Sequence, residues 1–260
     1  MQVHAYVLHL VRASSRRDNA QDLLSTCKTV GGLLGEVWPA VDGAAMSSTD
    51  LAATVGADLF EPSYPFPLRT GEIGCFLSHR QIWAEMQMRD ADAGLIIEDD
   101  ADIEPTTFRA ALILAQTHIR ELGYIQFQTR PGKGASRLID TSGNARLIVP
   151  EKGGLRTTTQ MVSREAAARL LTLSDPFDRP VDTFVQSHWH TGLRPAMIYP
   201  SGIADIANEL DGSTIQSQSS DTPLMEKLTR ELSRSRYRSG VARLSRNSTA
   251  PLEGGPSHDD

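Results

Sequence analysis

Five acidic side chains follow a short apolar run in residues 94–105, which read GLIIEDDADIEP. Crowded carboxylates repel one another, so this cluster indicates that a positive group lies among them. Carboxylates spaced as Asp100-x-Asp102 can present oxygens to a hard divalent cation such as Mg²⁺ or Mn²⁺, and a diphosphate can fill the cation's open positions. The alternative is a solvated acidic turn before a helix that starts near Glu104-Pro105.

The elements predicted before this acidic cluster place it at the edge of a sheet. β-forming and apolar residues predict three strands, over residues 3–10, 33–41 and 94–97. Capping residues and periodicity predict two helices, one from Ser14-Ser15 to Gly31-Gly32 and one from Thr70 through TGEIGCFLSHRQIWAEMQMRD. Prolines in residues 44–69 predict a loop there. Ligands of open α/β sheets bind where the strands end, which is where the cluster follows the third strand.

The second half of the chain continues the alternation of strands and helices. Strands are predicted over residues 124–128 and 147–149, a helix over 164–173, and a strand or loop over 195–199. This order predicts an α/β fold with a mostly parallel central sheet that is covered on both faces. Residues 1–207 form the predicted domain. Residues 208–260 form a predicted tail, with a basic amphipathic helix at about 224–246 and a disordered end.

The composition narrows the class of protein. The 260 residues are 40% hydrophobic and 22% charged, as expected for a globular chain with a sizeable core. A net charge of −6 argues against nucleic acid as a partner. The two cysteines, Cys27 and Cys75, give no disulfide framework and fit a reducing compartment. The N-terminus lacks the pattern of a signal peptide, so we expect a cytoplasmic protein.

Four segments of the chain resemble glycosyltransferase family 25, of the bacterial lipooligosaccharide galactosyltransferase type. They read VLHLVRASSRR, VWPAVDG, TGEIGCFLSHRQIW and LIIEDDADI, and the resemblance extends to about residue 200. The third is the most specific, because Gly-Glu-Ile-Gly-Cys followed by Ser-His is seldom met by chance. The resemblance implies a nucleotide-sugar-binding fold of the GT-A kind and inverting transfer of a hexose from a UDP-sugar. UDP-galactose is the first candidate donor and UDP-glucose the second.

The same resemblance assigns the acidic cluster to metal and donor binding. It implies that Asp100 and Asp102 hold Mn²⁺ or Mg²⁺ against the donor diphosphate, with Asp99 and Glu98 orienting them or the sugar. Asp102 departs from the family, which more often has an apolar residue at that position. Two metal pairs therefore stay open, namely Asp100 with Asp102 and Glu98 with Asp100.

Further residues are assigned to the donor by their place in the matching segments. They are Leu10, Arg12, Arg16, Asp42, Glu72, Ser78, His79 and Asp99. Each has a plainer alternative. Arg16 can be a surface arginine of a helix, Asp42 part of a turn, Glu72 a charge that complements a helix N-terminus, and His79 a core histidine with satisfied hydrogen bonds.

Inverting transfer needs a general base, which takes the proton of the acceptor hydroxyl as the anomeric carbon is attacked. The resemblance implies that Asp182, in the segment RPVDTF, is this base. The alternative is that Asp182 caps the helix that follows. His188 and His190 come soon after, and at most one of them is expected to contact metal or phosphate, because residues two apart do not share a helix face.

The basic tail suggests a second kind of partner. Its basic residues are Lys227, Arg230, Arg234, Arg236, Arg238, Arg243 and Arg246. A basic amphipathic helix can lie on an anionic membrane, which suits a glycan or lipid-linked acceptor and a location on the inner face of the plasma membrane. The alternative is a solvated tail that packs on nothing.

Two other functions fit part of the same pattern. A metal-dependent phosphohydrolase also places D-x-D after a strand, but it would leave the Gly-Glu-Ile-Gly-Cys segment unexplained. A module that binds a nucleotide-sugar without turnover would bind UDP with Mn²⁺ and release no sugar. The first hypothesis remains a metal-dependent hexosyltransferase that acts in the assembly of cell-surface polysaccharide.

Overall fold

The computed structural model describes residues 1–89, 91–210, 224–251 and 255–256. Its strands are β1 (Val3–His9), β2 (Leu34–Pro39), β3 (Ala93–Glu98), β4 (Ala101–Ile103), β5 (Tyr124–Phe127), β6 (Ser136–Ser142), β7 (Ala145–Pro150), β8 (Thr159–Ser163), β9 (Leu193–Arg194), β10 (Ala196–Tyr199), β11 (Ile203–Asp205) and β12 (Gly255–Pro256). Its α-helices are α1 (Arg17–Gly31), α2 (Ser48–Thr54), α3 (Thr70–Met88), α4 (Pro105–Leu122), α5 (Arg164–Leu173), α6 (Val181–Gln186), α7 (His188–Thr191) and α8 (Leu224–Asn247).

An eight-stranded sheet, in the order β2-β1-β3-β8-β5-β10-β7-β6, forms the centre of the molecule. β1 pairs parallel with β2 and β3, and β5 pairs parallel with β10. β8 runs antiparallel between β3 and β5, and β7 runs antiparallel between β10 and β6. Six strands therefore point in one direction and two in the other. This confirms the predicted α/β fold with a mostly parallel sheet.

Both faces of the sheet are buried at its centre, where β1 and β3 are buried at nearly every position. Val3, Ala5 and Val7 of β1 pack into the cluster formed with α1 and α4. Tyr6 and Leu8 point the opposite way, into the cluster formed with α3 and α5. Such unbroken apolar strands are typical of a sheet covered by helices on both sides, and the alternation assigns each side chain to one face.

The predicted helix at residues 164–173 is α5, and the predicted first helix ends as expected, with Gly32 in the left-handed conformation at φ 65°. The prediction of a loop throughout residues 44–69 is wrong for residues 48–54. The prolines that exclude helix come later, and the Ser47 side chain caps α2 by accepting a hydrogen bond from the Asp50 amide, 3.1 Å away.

The predicted basic helix of the tail lies within α8, and α8 packs against the rest of the chain. Val241 is buried, and the Tyr237 ring meets Tyr64 edge to face with the ring centroids 5.5 Å apart. A β-carbon added at Gly240 would lie 2.9 Å from Pro62. The start of the predicted tail after residue 210, and most of its predicted disordered end, lie outside the described residues. Among the residues that the structure describes, no helix has the length and hydrophobicity needed to cross a membrane.

Candidate active site

A cleft of about 880 Å³ opens where β1 and β3 end, within the range of volumes that hold small-molecule ligands. Ten of the predicted site residues line it, namely Leu10, Arg12, Arg16, Asp42, Glu72, Ser78, Glu98, Asp99, Asp100 and Asp182. Two do not. His79 is fully buried beneath the cleft, and Asp102 is exposed outside it. The structure thus brings the residues predicted after the first three strands, and those of α3, together with Asp182 from a distant part of the chain.

The acidic turn after β3 is held by three polar side chains from the first strand and helix. His9 Nδ1 lies 2.7 Å from Asp99 Oδ2, and Arg16 Nη1 donates to Asp99 Oδ1 at 3.1 Å and to Asp100 Oδ2 at 3.0 Å. Asn19 donates its side-chain amide to the Asp99 carbonyl at 2.8 Å. Both carboxylate oxygens of Asp99 are therefore engaged within the protein. Asp99 and Arg16 shape the turn, in addition to lining the cleft.

Glu98 and Asp100 present the carboxylates that face the cleft from this turn. Glu98 Oε1 accepts a hydrogen bond of 2.8 Å from the neutral hydroxyl of Thr157. Burial, followed by the charge of Glu98, raises the pKa of Asp100 to about 7, although Arg16 opposes the shift. The site therefore holds more negative charge than Arg16 balances. Oxygen donors with excess negative charge are what Mg²⁺ and Mn²⁺ require, so these residues fit the implied cation.

Asp102 does not join this group, for a reason that strand geometry supplies. β4 alternates, with Ala101 and Ile103 buried and Asp102 exposed between them. Its pairing with β11 places Ala204 opposite Asp102 and fixes this orientation. Of the three candidate metal ligands, Glu98 and Asp100 therefore line the cleft and Asp102 does not.

Asp182 lies in the first turn of α6, on the same cleft. Its Oδ1 accepts from the Thr183 amide at 2.7 Å, and its Oδ2 lies 3.5 Å from the Arg156 amide nitrogen. Burial raises the pKa of Asp182, and the two backbone hydrogen bonds only partly oppose this. The helix N-cap is Pro180, so the capping alternative for Asp182 does not describe this structure.

Arg156 and Asp205 complete the cleft, and neither was singled out from the sequence. Arg156 has a φ of 85°, which is uncommon for a residue with a side chain. With this backbone, its amide faces Asp182 and its guanidinium donates to Asp205 Oδ2 at 2.6 Å. Asp205 adds a further negative charge near Asp100. Arg156 thus connects the Asp182 side of the cleft to the acidic side.

The remaining donor candidates lie where β2 ends and α3 begins. Arg12 pairs with Asp42, with Nε 2.7 Å from Oδ2, and Glu72 accepts from the Arg69 amide at 2.8 Å at the start of α3. The Ser78 hydroxyl donates to the Gly74 carbonyl at 2.7 Å and accepts from the Val41 amide at 2.8 Å. The alternative given for Glu72, a charge that complements the N-terminus of the helix, agrees with its contact, and Ser78 joins the turn after β2 to α3.

Two glycines of the matching segments allow this close approach. A β-carbon at Gly43 would lie 1.9 Å from the Thr70 carbonyl oxygen, and one at Gly74 would lie 2.5 Å from the Val41 carbonyl oxygen. Both contacts are to backbone atoms, which cannot rotate away. The spacing of Asp42-Gly43 and of the Gly-Glu-Ile-Gly-Cys segment therefore has a packing reason, since both let the turn after β2 lie directly on α3.

His188 and His190 do not line the cleft. His188 Nδ1 lies 2.8 Å from the Ser248 hydroxyl, so it anchors the segment after α8, and burial lowers its pKa to about 4. His190 stacks on Phe60, with ring centroids 3.7 Å apart. The contact with metal or phosphate that the sequence left open for at most one of them is not supported by either position.

The sheet, the cleft at the ends of its parallel strands and the carboxylates there are the arrangement found in α/β proteins whose ligands bind at the sheet edge. Residues 2–185 match the profile of Glycosyltransferase family 25 (LPS biosynthesis protein), and the chain belongs to this family.

Animal proteins of the same family share this region. A Glycosyltransferase 25 family member of Drosophila pseudoobscura pseudoobscura is 31% identical over 196 residues, which are 70% of this chain and 29% of that protein. Procollagen galactosyltransferase 2 of Homo sapiens is 29% identical over 192 residues, 69% of this chain and 29% of that protein. Inactive glycosyltransferase 25 family member 3 of Homo sapiens is 31% identical over 190 residues, which are 69% of this chain and 30% of that protein. The chain thus spans less than a third of the length of these relatives.

Proposed function

We propose that this chain transfers a hexose, galactose in the first instance, from a UDP-sugar to a hydroxyl of a glycan or lipid-linked acceptor, with inversion and with Mn²⁺ or Mg²⁺. The observation that carries this proposal is that Asp182 lines the same cleft as Glu98 and Asp100, although it comes from a distant segment of the chain. Family membership supports a glycosyltransferase, and the name of the human procollagen galactosyltransferase supports galactose.

Glu98 and Asp100 would hold the divalent cation through their carboxylate oxygens. When bound, the cation would stabilise the negative charge that develops on the leaving diphosphate. Arg16 keeps Asp99 and Asp100 in place through its two ion pairs and so preorganises the acidic turn. Without it, the repulsion among the carboxylates would open the turn.

Asp182 would act as the general base. Burial raises its pKa, and a carboxylate that holds its proton more tightly is a stronger base once it is ionised. Its backbone hydrogen bonds fix the orientation of the carboxylate toward the cleft. The acceptor hydroxyl would therefore lie between Asp182 and the donor sugar, on the side opposite the leaving diphosphate.

The donor nucleotide would lie along the ends of β1 and β2. Leu10 offers an apolar contact there, and the paired Arg12 and Asp42 offer a donor and an acceptor at the rim. Arg12 is half exposed and retains donors beyond the one that meets Asp42. Glu72 and Ser78 also line the cleft, and Ser78 holds α3 against the turn that carries Asp42 by accepting from the Val41 amide.

We also infer a membrane-associated setting in cell-surface polysaccharide assembly, on the cytoplasmic face of the plasma membrane. The family description names lipopolysaccharide biosynthesis. α8 packs Val241 and Ser245 against the rest of the protein, so this face of the helix is not available to lipid. Arg236, Arg238 and Arg243 are exposed on it, and their attraction to anionic headgroups would be electrostatic and weakened by salt.

A module that binds a nucleotide-sugar without turnover is the second candidate function. The observation that favours it is the similarity to a human family member named as inactive. Both functions predict saturable binding of UDP with Mn²⁺. Only the transferase predicts release of UDP from a UDP-hexose.

The test is UDP release from UDP-galactose and UDP-glucose with Mn²⁺, in the presence and absence of candidate acceptors. Wild type is compared with Asp182→Asn and with Asp175→Asn, whose side chain is 75% exposed on the same segment and lies outside the cleft. The transferase predicts release that Asp182→Asn lowers and Asp175→Asn leaves unchanged. Binding of UDP with no release from either donor would favour the module.

A further inference from the structure

Cys75, His79 and Glu98 form a cluster at the floor of the cleft that the transferase mechanism does not use as a unit. One ligand atom from each lies within 4.8 Å of the others, and His79 Nε2 is 4.0 Å from Glu98 Oε1. Cys75 and His79 are four residues apart on α3 and share one face of it, and Glu98 ends β3. A thiol, an imidazole and a carboxylate thus converge from two elements.

His79 is fully buried, and its Nε2 has no hydrogen-bond partner within the described residues. On the other side of the ring, Nδ1 lies 3.2 Å from the side-chain amide of Gln160, whose oxygen also lacks a partner there. Rotation of this amide by a half turn would let its oxygen accept from Nδ1–H. The lone pair of Nε2 would then face Cys75 and Glu98, as in a metal-binding histidine whose other nitrogen is held by a second residue.

We propose that Cys75, His79 and Glu98 form a site for a divalent cation that prefers thiolate and imidazole ligands, with Zn²⁺ as the representative ion. Sulfur, nitrogen and oxygen from three side chains are a set that Zn²⁺ accepts, and the fourth position stays open. Cys75 and Glu98 line the cleft, so the open position faces it. In tetrahedral zinc sites the ligand atoms are roughly 3.5 Å apart, so the three side chains need to approach by about 1 Å.

The chemistry of this cluster differs from that of the acidic turn. Glu98 and Asp100 offer only oxygen, which suits Mg²⁺ or Mn²⁺, whereas the thiol selects a softer ion. Burial raises the pKa of Cys75, so the thiol keeps its proton until a cation replaces it and the proton leaves to solvent. Because Glu98 belongs to both groups, an ion in one place competes with an ion in the other. Binding of the softer ion does not depend on hexose transfer.

Cobalt(II) titration of the metal-free protein tests the site, since a cobalt–thiolate bond absorbs in the near ultraviolet. We expect the band in wild type, in Cys27→Ala and in Asp100→Asn, and no band in Cys75→Ala. His79→Gln should lower the Co²⁺ affinity by at least about tenfold. Cys27 is the matched control, because it is the other free thiol and lies on the buried face of α1, outside the cleft. Circular dichroism checks that each variant is folded.

A second measurement needs no variant. Zn²⁺ should slow the alkylation of Cys75 by iodoacetamide at least about tenfold in the wild-type protein, as read by mass spectrometry of the Cys75 peptide. The proposal is overturned if wild type gives no cobalt–thiolate band, if Cys75→Ala keeps the band, or if Zn²⁺ leaves the alkylation rate unchanged. Loss of the band in Asp100→Asn as well would make Asp100 a ligand of the same ion, so that there is no site separate from the acidic turn, and would overturn the proposal too.

Discussion

Replacing Asp100 by Asn should stabilise the metal-free protein at pH 8. The native environment raises the pKa of Asp100 from 3.8 to about 7, first through burial and then through Glu98. A native pKa above the unfolded one means that the native state binds the extra proton, so the free energy of unfolding falls as pH rises from about 4 to about 7. At pH 8 the ionised carboxylate therefore lowers the free energy of unfolding by its full amount.

The size of the effect follows from the shift. About three pKa units at about 1.4 kcal/mol each set an upper limit of about 4 kcal/mol. Asn keeps an oxygen that can accept from Arg16 but loses the charge that Arg16 pairs with at 3.0 Å, which offsets part of the gain. We expect Asp100→Asn to raise the free energy of unfolding by about 1–3 kcal/mol at pH 8. At pH 5, which lies between the two pKa values, only about 1.2 of the three pKa units have been lost, so the difference should fall to less than half of its value at pH 8.

Urea denaturation with chelator at both pH values measures this, with Asp102→Asn as the matched variant. Asp102 is the same residue type two positions away, exposed and outside the cleft, so its replacement should change stability by less than about 0.5 kcal/mol. Saturating Mn²⁺, at about 100 times its Kd, should then stabilise wild type and Asp102→Asn by about 2.7 kcal/mol and leave Asp100→Asn unchanged.

The reasoning is refuted if Asp100→Asn is no more stable than wild type at pH 8, or if its advantage is as large at pH 5. Loss of the Mn²⁺ effect in Asp102→Asn would instead restore the pair of Asp100 with Asp102.

Three further predictions concern other parts of the molecule. Asp182→Asn should lower the rate of transfer by about 10²–10⁴-fold while UDP binding with Mn²⁺ persists. The wild-type rate should rise as the pH passes the raised pKa of Asp182. Steady-state kinetics against pH measures both, and a wild-type rate that does not change with pH would contradict the assignment. Gly74→Ala places a β-carbon 2.5 Å from a backbone oxygen and should cost about 1–3 kcal/mol of stability, and an unchanged urea midpoint would contradict this. Reversing exposed arginines of α8 (Arg236, Arg238 and Arg243 to Glu) should abolish flotation with anionic liposomes at low salt, and equal flotation of the variant would remove the membrane role.

The sequence predicted the site best where residues with clear chemistry directly follow a recognisable strand or begin a recognisable helix. The apolar run of β3 followed by carboxylates predicted a sheet edge, and the helix of the Gly-Glu-Ile-Gly-Cys segment brings Glu72 and Ser78 to the same cleft. The position of Asp102 could not be read from alternation, because residues two apart share a face of a strand; Asp102 is separated from Asp100 because Asp100 belongs to the turn before β4 and Asp102 to the strand itself.

Other features depend on tertiary contacts that no local pattern carries. Asp205 reaches the cleft because β11 pairs with β4, more than one hundred residues earlier in the chain. His9 and Asn19 are ordinary polar residues until the turn after β3 is placed beside them. β8 lies antiparallel between β3 and β5, and nothing in the local sequence of β8 predicts this position in the sheet.

Isothermal titration calorimetry of UDP into the purified protein, with and without Mn²⁺, tests the account most directly. The carboxylates of the cleft and a pyrophosphate group need the cation between them, so wild type should bind UDP saturably with Mn²⁺ and far more weakly with chelator, and Asp100→Asn should lose the difference. Binding of UDP that is equally tight with chelator, or no heat with Mn²⁺ present, would contradict the claim that this cleft is a metal-dependent nucleotide-sugar site.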